Sequence, residues 1–181
     1  MDLTGTYPEL TDADSVYAIK EYSELMAAAV AAEVDKLPKG QIAKQISTGT
    51  SGAINTTMTV VQNVANINFV AGRCYLVYWS VNYYQQSTGD TFAFGVTVAN
   101  NGDAAGSTAN MTQLRSVSDR VSASSEGRNK IVSAYYFPTV TDTLQVKTWI
   151  QRVVGSGGSL FVSADATNPN QLIVEDKGIA S

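Results

Sequence analysis

Apolar and polar residues follow two different periods along this chain, and the change falls at Pro38-Lys39-Gly40. Before it, Asp14 to Leu37 is rich in alanine and tyrosine and carries apolar residues at helical spacing. Val16, Val30 and Leu37 share one heptad position, Ile19 and Met26 share the other, and Ser23 and Glu33 interrupt the seam. The spacing predicts one α-helix with a short, imperfect seam. A helix of this length packed only on itself is marginal in water, so it needs partner helices, a docking surface or the rest of the chain to persist. Thr11, Asp12 or Asp14 can cap its start, where acidic residues suit the positive end of the dipole. Pro38 biases Leu37 away from helical dihedrals and Gly40 relaxes the turn that ends it.

After Gly40 the period becomes two. Ile54, Thr56, Met58 and Val60 alternate with polar residues, and Ala65, Ile67 and Phe69 lead through the turn Val70-Ala71-Gly72 into the strongest strand signal, Cys74 to Tyr84. There both parities are apolar or aromatic: Cys74, Leu76 and Tyr78 on one, Tyr75, Val77, Trp79, Val81 and Tyr83 on the other. A strand apolar on both faces is central in a sandwich or faces a partner subunit. Phe92 to Val98 gives another strand, closed by Asn100-Asn101-Gly102-Asp103, and the polar stretch 110–122 suits an edge. Ile131 to Phe137, Leu144 to Ile150, Leu160 to Ala164 and Leu172 to Val174 follow, with Gly155-Ser156-Gly157-Gly158 as a turn. Eight or more short strands with no helical window between them predict a mainly β fold. The expected form is an antiparallel β-sandwich or jelly-roll-like knob, residues 41–181, preceded by an N-terminal arm and one α-helix, residues 1–40.

Composition narrows the function classes. The chain has 181 residues, 44% hydrophobic and 15% charged, enough for one buried domain plus an appendage. The charged fraction lies below the roughly 25% usual for soluble domains, with neutral polar residues in its place. A net charge of −4 gives no concentrated positive field for nucleic acid. The apolar run Met26 to Ala32 is flanked too closely by Glu21, Glu24, Glu33 and Asp35 for a membrane span or a signal-peptide core. Synthesis in a cytoplasm without a cleaved leader is the expectation.

The chemistry available is narrow. The one cysteine, Cys74, has no internal disulfide partner and reads as a small apolar residue. With no histidine, serine–histidine and cysteine–histidine pairs and histidine metal sites are ruled out. Gly155-Ser156-Gly157-Gly158 lacks the lysine and following helix of a phosphate loop. Asp90, Asp103, Asp119, Glu126, Asp142 and Asp165 could furnish a glycosidase pair, but carboxylates in turns are the rule in β proteins. The expectation is no catalytic residue, no metal and no cofactor. Arg73 is expected to cover an apolar edge, and Glu175 and Asp176 to be solvated at the end of the last strand.

Two stretches, Val70-Ala71-Gly72-Arg73-Cys74-Tyr75-Leu76-Val77 and Asn168-Pro169-Asn170-Gln171-Leu172-Ile173-Val174-Glu175-Asp176-Lys177-Gly178, resemble the β-domain of small virion structural proteins from phages of actinobacteria. That family includes minor tail proteins and capsid decoration or head-fibre proteins. Thr6-Tyr7-Pro8-Glu9-Leu10-Thr11-Asp12-Ala13-Asp14 with the helix after it is similar to the attachment segments of these proteins. Many relatives insert a long fibrous section between attachment segment and knob, whereas here the connection is short. The resemblance implies a non-enzymatic virion surface protein, a capsid decoration, with a minor tail protein that binds host cell-surface glycans as the alternative. Tyr7, Pro8, Val16, Ile19, Met26, Val30 and Leu37 are the candidates for attachment and oligomerisation, and Tyr75, Trp79 and Tyr83 for a subunit interface. The expected partners are further copies in a homotrimer and the major capsid or tail proteins, with no nucleic acid or membrane.

Overall fold

The computed structural model describes residues 16–86, 89–120, 127–155 and 157–180, with the side chains of 16–18 excepted. It divides into two compact units, Met1–Leu37 and Pro38–Ser181. In the first, α1 spans Val16–Lys36, and its C-terminal Lys36 suits the negative end of the helix dipole. The expected capping residues Thr11, Asp12 and Asp14 lie outside the described residues.

The second unit is a sandwich of two antiparallel sheets. Its strands are β1 (Gly40–Ser47), β2 (Thr59–Phe69), β3 (Arg73–Gln85), β4 (Thr91–Asn100), β5 (Thr112–Arg120), β6 (Arg128–Tyr136), β7 (Asp142–Val154), β8 (Leu160–Val162) and β9 (Asn170–Ile179). A five-stranded sheet runs β1-β9-β3-β6 with β8 also on β3, and a four-stranded sheet runs β2-β7-β4-β5. The mainly β, antiparallel sandwich expected from the alternation is what forms.

β3 is central in its sheet, between β9 and β6. Its odd-numbered residues Tyr75, Val77, Trp79, Val81 and Tyr83 point inward and are fully buried, while the even-numbered ones are half-buried on the outer side. From the other sheet Phe92, Phe94, Val96, Val146 and Ile150 meet them. Rings interlock at the ends: Phe69 packs edge-on against Tyr75 at 4.8 Å and Tyr136 at 5.1 Å, and Tyr83 tilts against Phe94 at 4.8 Å. The one polar atom that Trp79 brings inside is satisfied, because its Nε1 donates to Gln62 Oε1 at 2.8 Å.

Three local expectations change. The strand foreseen at Ile54 to Val60 is reduced to a bridge between Ile54 and Leu160, and β2 begins at Thr59. It then runs through irregularities between Val60 and Gln62 and between Val64 and Ile67. There Asn66 takes a φ of +59°, so its sequence does not alternate cleanly. The last strand is ten residues long and lies between β1 and β3. The polar stretch at 112–120 is an edge strand, β5, as its composition indicates.

Candidate functional site

The candidate residues divide by burial. Ile19, Val30 and Leu37 of the helical segment are exposed, as are Leu25 and Val34, while Met26 is half-buried. Tyr7, Pro8 and the Val16 side chain lie outside the described residues. Large apolar groups thus stand in water along α1, held there by a helix whose exposed Lys20–Glu24 and Lys36–Glu33 pairs add little stability.

Tyr75, Trp79 and Tyr83 correct the expectation of a subunit interface. All three are at most 1% exposed and fill the space between the two sheets, so no second chain can reach them. The parity that does face outward is the other one, Cys74, Leu76 and Tyr78.

Arg73 and Asp176 also depart from expectation. They do not cover an edge or dissolve in solvent: Arg73 Nε and Nη2 donate to the two Asp176 carboxylate oxygens at 2.8 and 3.0 Å, with both residues buried. The Gly178 amide donates to the same carboxylate at 2.8 Å. A two-pronged pair of this kind fixes geometry as well as charge, and it joins β3 to β9 where two of the resembling stretches meet. The signal was present in the parity: Arg73 continues the inward series Tyr75, Val77, and Asp176 continues Leu172, Val174. Opposite charges at buried parity on two strands predict that they pair.

The scattered carboxylates are occupied in local structure. Asp90 is buried and accepts from the Gly158 amide at 2.8 Å, beside the Arg152 guanidinium at 3.6 Å, pinning the glycine-rich turn. A Cβ at Gly155 would strike that carboxylate. Asp165 accepts from the Thr167 and Asn168 amides, both at 2.7 Å, and Asp142 from the Thr143 amide at 2.7 Å, as turn aspartates do. Asp103 accepts from Asn110. Asp119 accepts from the Tyr83 hydroxyl, with Arg128 and Lys130 3.8 and 3.9 Å away. Burial first, then the hydrogen bond to Asp119, pushes the Tyr83 phenol well above its ordinary value. Glu126 lies outside the described residues. Among the described residues no group of three or more cysteine, aspartate or glutamate side chains is placed to hold a metal ion. Among the described residues no helix is long and apolar enough to cross a membrane.

A polar depression of about 340 Å³ lies beside this cluster, lined by Asn82, Arg128, Asn129, Ser163, Asp165 and Asn168 among others. Asn129 Nδ2 donates to Ser80 Oγ and Asn82 Oδ1, both at 3.0 Å. It offers donors and acceptors but no exposed ring.

No family model matches the chain, and no curated protein matches it. Solved structures similar in fold include infectious bursal disease virus, Gx strain, with a TM-score of 0.45 and 9% identity over 81% of this chain and 38% of that one. The VP2 subviral particle of infectious bursal disease virus matches with a TM-score of 0.44 and 11% identity over 79% of this chain and 38% of the other. Eiger TNF from S. frugiperda matches with a TM-score of 0.36 and 13% identity over 79% and 96%. The chain spans little more than a third of the length of the bursal disease virus chains it resembles.

Proposed function

We propose that this chain is a non-enzymatic virion surface protein of a phage, a capsid decoration whose β-sandwich is displayed on the particle and held there by residues 1–40. The observation that carries the reading is α1: Ile19, Leu25, Val30 and Val34 are exposed on a 21-residue helix, and Leu37 is exposed immediately after it. Such a helix is stabilised mainly by packing an apolar face on partners. Copies joined through it form a homotrimer in which weak docking by each arm becomes firm, because each further attachment is intramolecular. Of the carboxylates that a glycosidase could use, Asp90, Asp103, Asp119, Asp142 and Asp165 are engaged in turns or ion pairs, which supports a binding rather than a catalytic role.

Copy number on the particle tests the location. A decoration occupies a site repeated over the shell, so this protein should approach the major capsid protein in molar amount and remain on heads that lack tails. A few copies per particle, lost with the tails, would instead make it a minor tail protein. That second reading draws on the polar depression around Asn82, Asn129 and Asp165, whose amides and carboxylate suit the hydroxyls of a host glycan.

A further inference from the structure

The outward side of the five-stranded sheet is apolar where a solvent face should be polar. Register places Leu76 of β3 beside Tyr135 of β6 and Glu175 of β9, and Tyr78 beside Ser133 and Ile173. Ile46 of β1 extends the next row through Gln171 and Ser80 to Ile131. Tyr135 is 61% exposed, Phe137 55%, Ile131 53%, Ile46 52% and Ile179 51%. Tyr135 and Phe137 lean together at 6.4 Å. With Cys74, Lys177 and Ile179 they line a depression of about 360 Å³.

We propose that this face, centred on Leu76, Tyr78, Tyr135, Phe137 and Ile173, is where copies of this chain pack against one another. At about 100 Å² for each half-exposed large side chain, the five exposed residues present roughly 500 Å², the size of the largest and often functional patch on a monomer. With the half-buried Leu76, Tyr78 and Ile173 and the polar rim of Lys44, Gln171, Ser133 and Lys177, it approaches the ~800 Å² per partner of a standard interface. The charges on it are of both signs, and Lys177 donates to Glu175 beside it, so the face has no one-signed field to select a polyanion or a polycation. β1, the edge strand of this sheet, follows α1 after only Leu37-Pro38-Lys39. Helices that associate therefore hold neighbouring sandwiches within reach of a short connector, at high effective concentration. The inference rests on the reading of α1 as an associating element only for bringing the copies together.

Two variants of the full chain separate the two ideas: Tyr135→Glu with Phe137→Glu on the sheet, and Ile19→Glu with Val30→Glu on the helix. Sedimentation equilibrium should show the sheet variant dissociating with a constant at least tenfold higher than the parent. Unchanged association of the sheet variant overturns the inference, and it leaves the helix reading standing if the helix variant dissociates. The reverse pattern overturns the helix reading alone, and a parent chain that is monomeric throughout removes both. A sheet variant that associates normally but no longer binds host cell-wall glycan makes the face a sugar platform and also overturns the inference. A benzophenone amino acid in place of Tyr135 covers the case of a misfolded variant. Irradiation of the pure protein should give species at multiples of the 19.2 kDa chain, and the same group in place of Gln113, on β5 of the other sheet, should not. An associated sample with no crosslink from position 135 overturns the inference as well.

Discussion

The two outer faces of the sandwich are built on opposite rules. On the four-stranded sheet the outward residues of β4 are small, Ala93, Gly95, Thr97 and Ala99, and all four are buried. Trp149 of β7 lies over Gly95, where a Cβ would fall inside the indole ring, and is only 4% exposed. Beside it, the fully buried Lys147 donates through Nζ to the Ala104 and Ser107 carbonyls at 2.9 and 2.8 Å. Gln145 Nε2 reaches the Asn100 and Asp103 carbonyls at 2.5 and 3.0 Å. The loop 101–111 is thereby drawn onto the sheet. On the five-stranded sheet many outward residues are large, and five of them, Ile46, Ile131, Tyr135, Phe137 and Ile179, stay about half exposed. Small outward residues let a chain close over its own sheet, whereas large ones leave a face that another surface can cover.

The strongest way to break this contrast is to open the closed face. Trp149→Ala should lose about 3–5 kcal/mol of unfolding free energy in denaturant titration, the usual cost of deleting a buried ring. A loss under 1 kcal/mol would mean that Trp149 is not a packing element. Gly95→Ala is the complementary change: its methyl occupies the ring's place, and overpacking of this kind costs about 1–3 kcal/mol.

Next in size is Lys147→Met, which keeps the stem and removes the ammonium. Two carbonyls lose a charged donor, so stability should fall by about 1.5–3 kcal/mol. Hydrogen exchange in 101–111 should speed up relative to β3 and β9. Equal exchange in parent and variant would show that the loop holds itself in place.

The sequence made the inside of the sandwich legible and its closed outside illegible, for a physical reason. Alternation in Cys74 to Tyr84 and Phe92 to Val98 reports which side chains share a face, so the core could be read directly. What covers an outward residue depends on long-range placement. Lys147, at an outward position between Val146 and Thr148, looks like a solvated lysine until loop carbonyls are found above it. The small series Ala93, Gly95, Thr97, Ala99 was the available sign of a covered face. The apolar second parity of β3 is legible as well, but not which parity turns inward: Tyr75, Trp79 and Tyr83 are inside, and Leu76 and Tyr78 are outside. On the helix, the heptad spacing does not sort the residues by exposure: Ile19 and Val30 are exposed, but so are Leu25 and Val34 outside the seam, and Met26 within it is half-buried.

A smaller effect separates inside from outside through pH. Burial and the bond to Asp119 raise the Tyr83 phenol above its ordinary 10.0, and burial also raises Tyr136. Below pH 10 both folded and unfolded chains keep these protons, so their stabilising contribution is fully present. Above it the unfolded chain releases protons that the folded chain retains, and stability falls as pH rises. Melting curves from pH 8 to 11 should show this decline, and Tyr83→Phe should flatten it. A slope unchanged by Tyr83→Phe would assign the decline to other groups.

The smallest effect is expected on the bare face. In dilute solution, where the chain stands alone, Tyr135→Ser with Phe137→Ser should change unfolding free energy by no more than about 0.5 kcal/mol, as surface substitutions do. Both side chains are more than half exposed, so the folded chain gains little from them that the unfolded chain lacks. Concentration then supplies the contrast. If copies meet on this face, association stabilises the folded parent by mass action, and its melting temperature climbs with protein concentration. The variant, without the rings, should climb less. Parallel curves for parent and variant would show that the rings take no part in association. A large loss already present at high dilution would show that they are held by the chain's own packing, and that the two faces of the sandwich are alike after all.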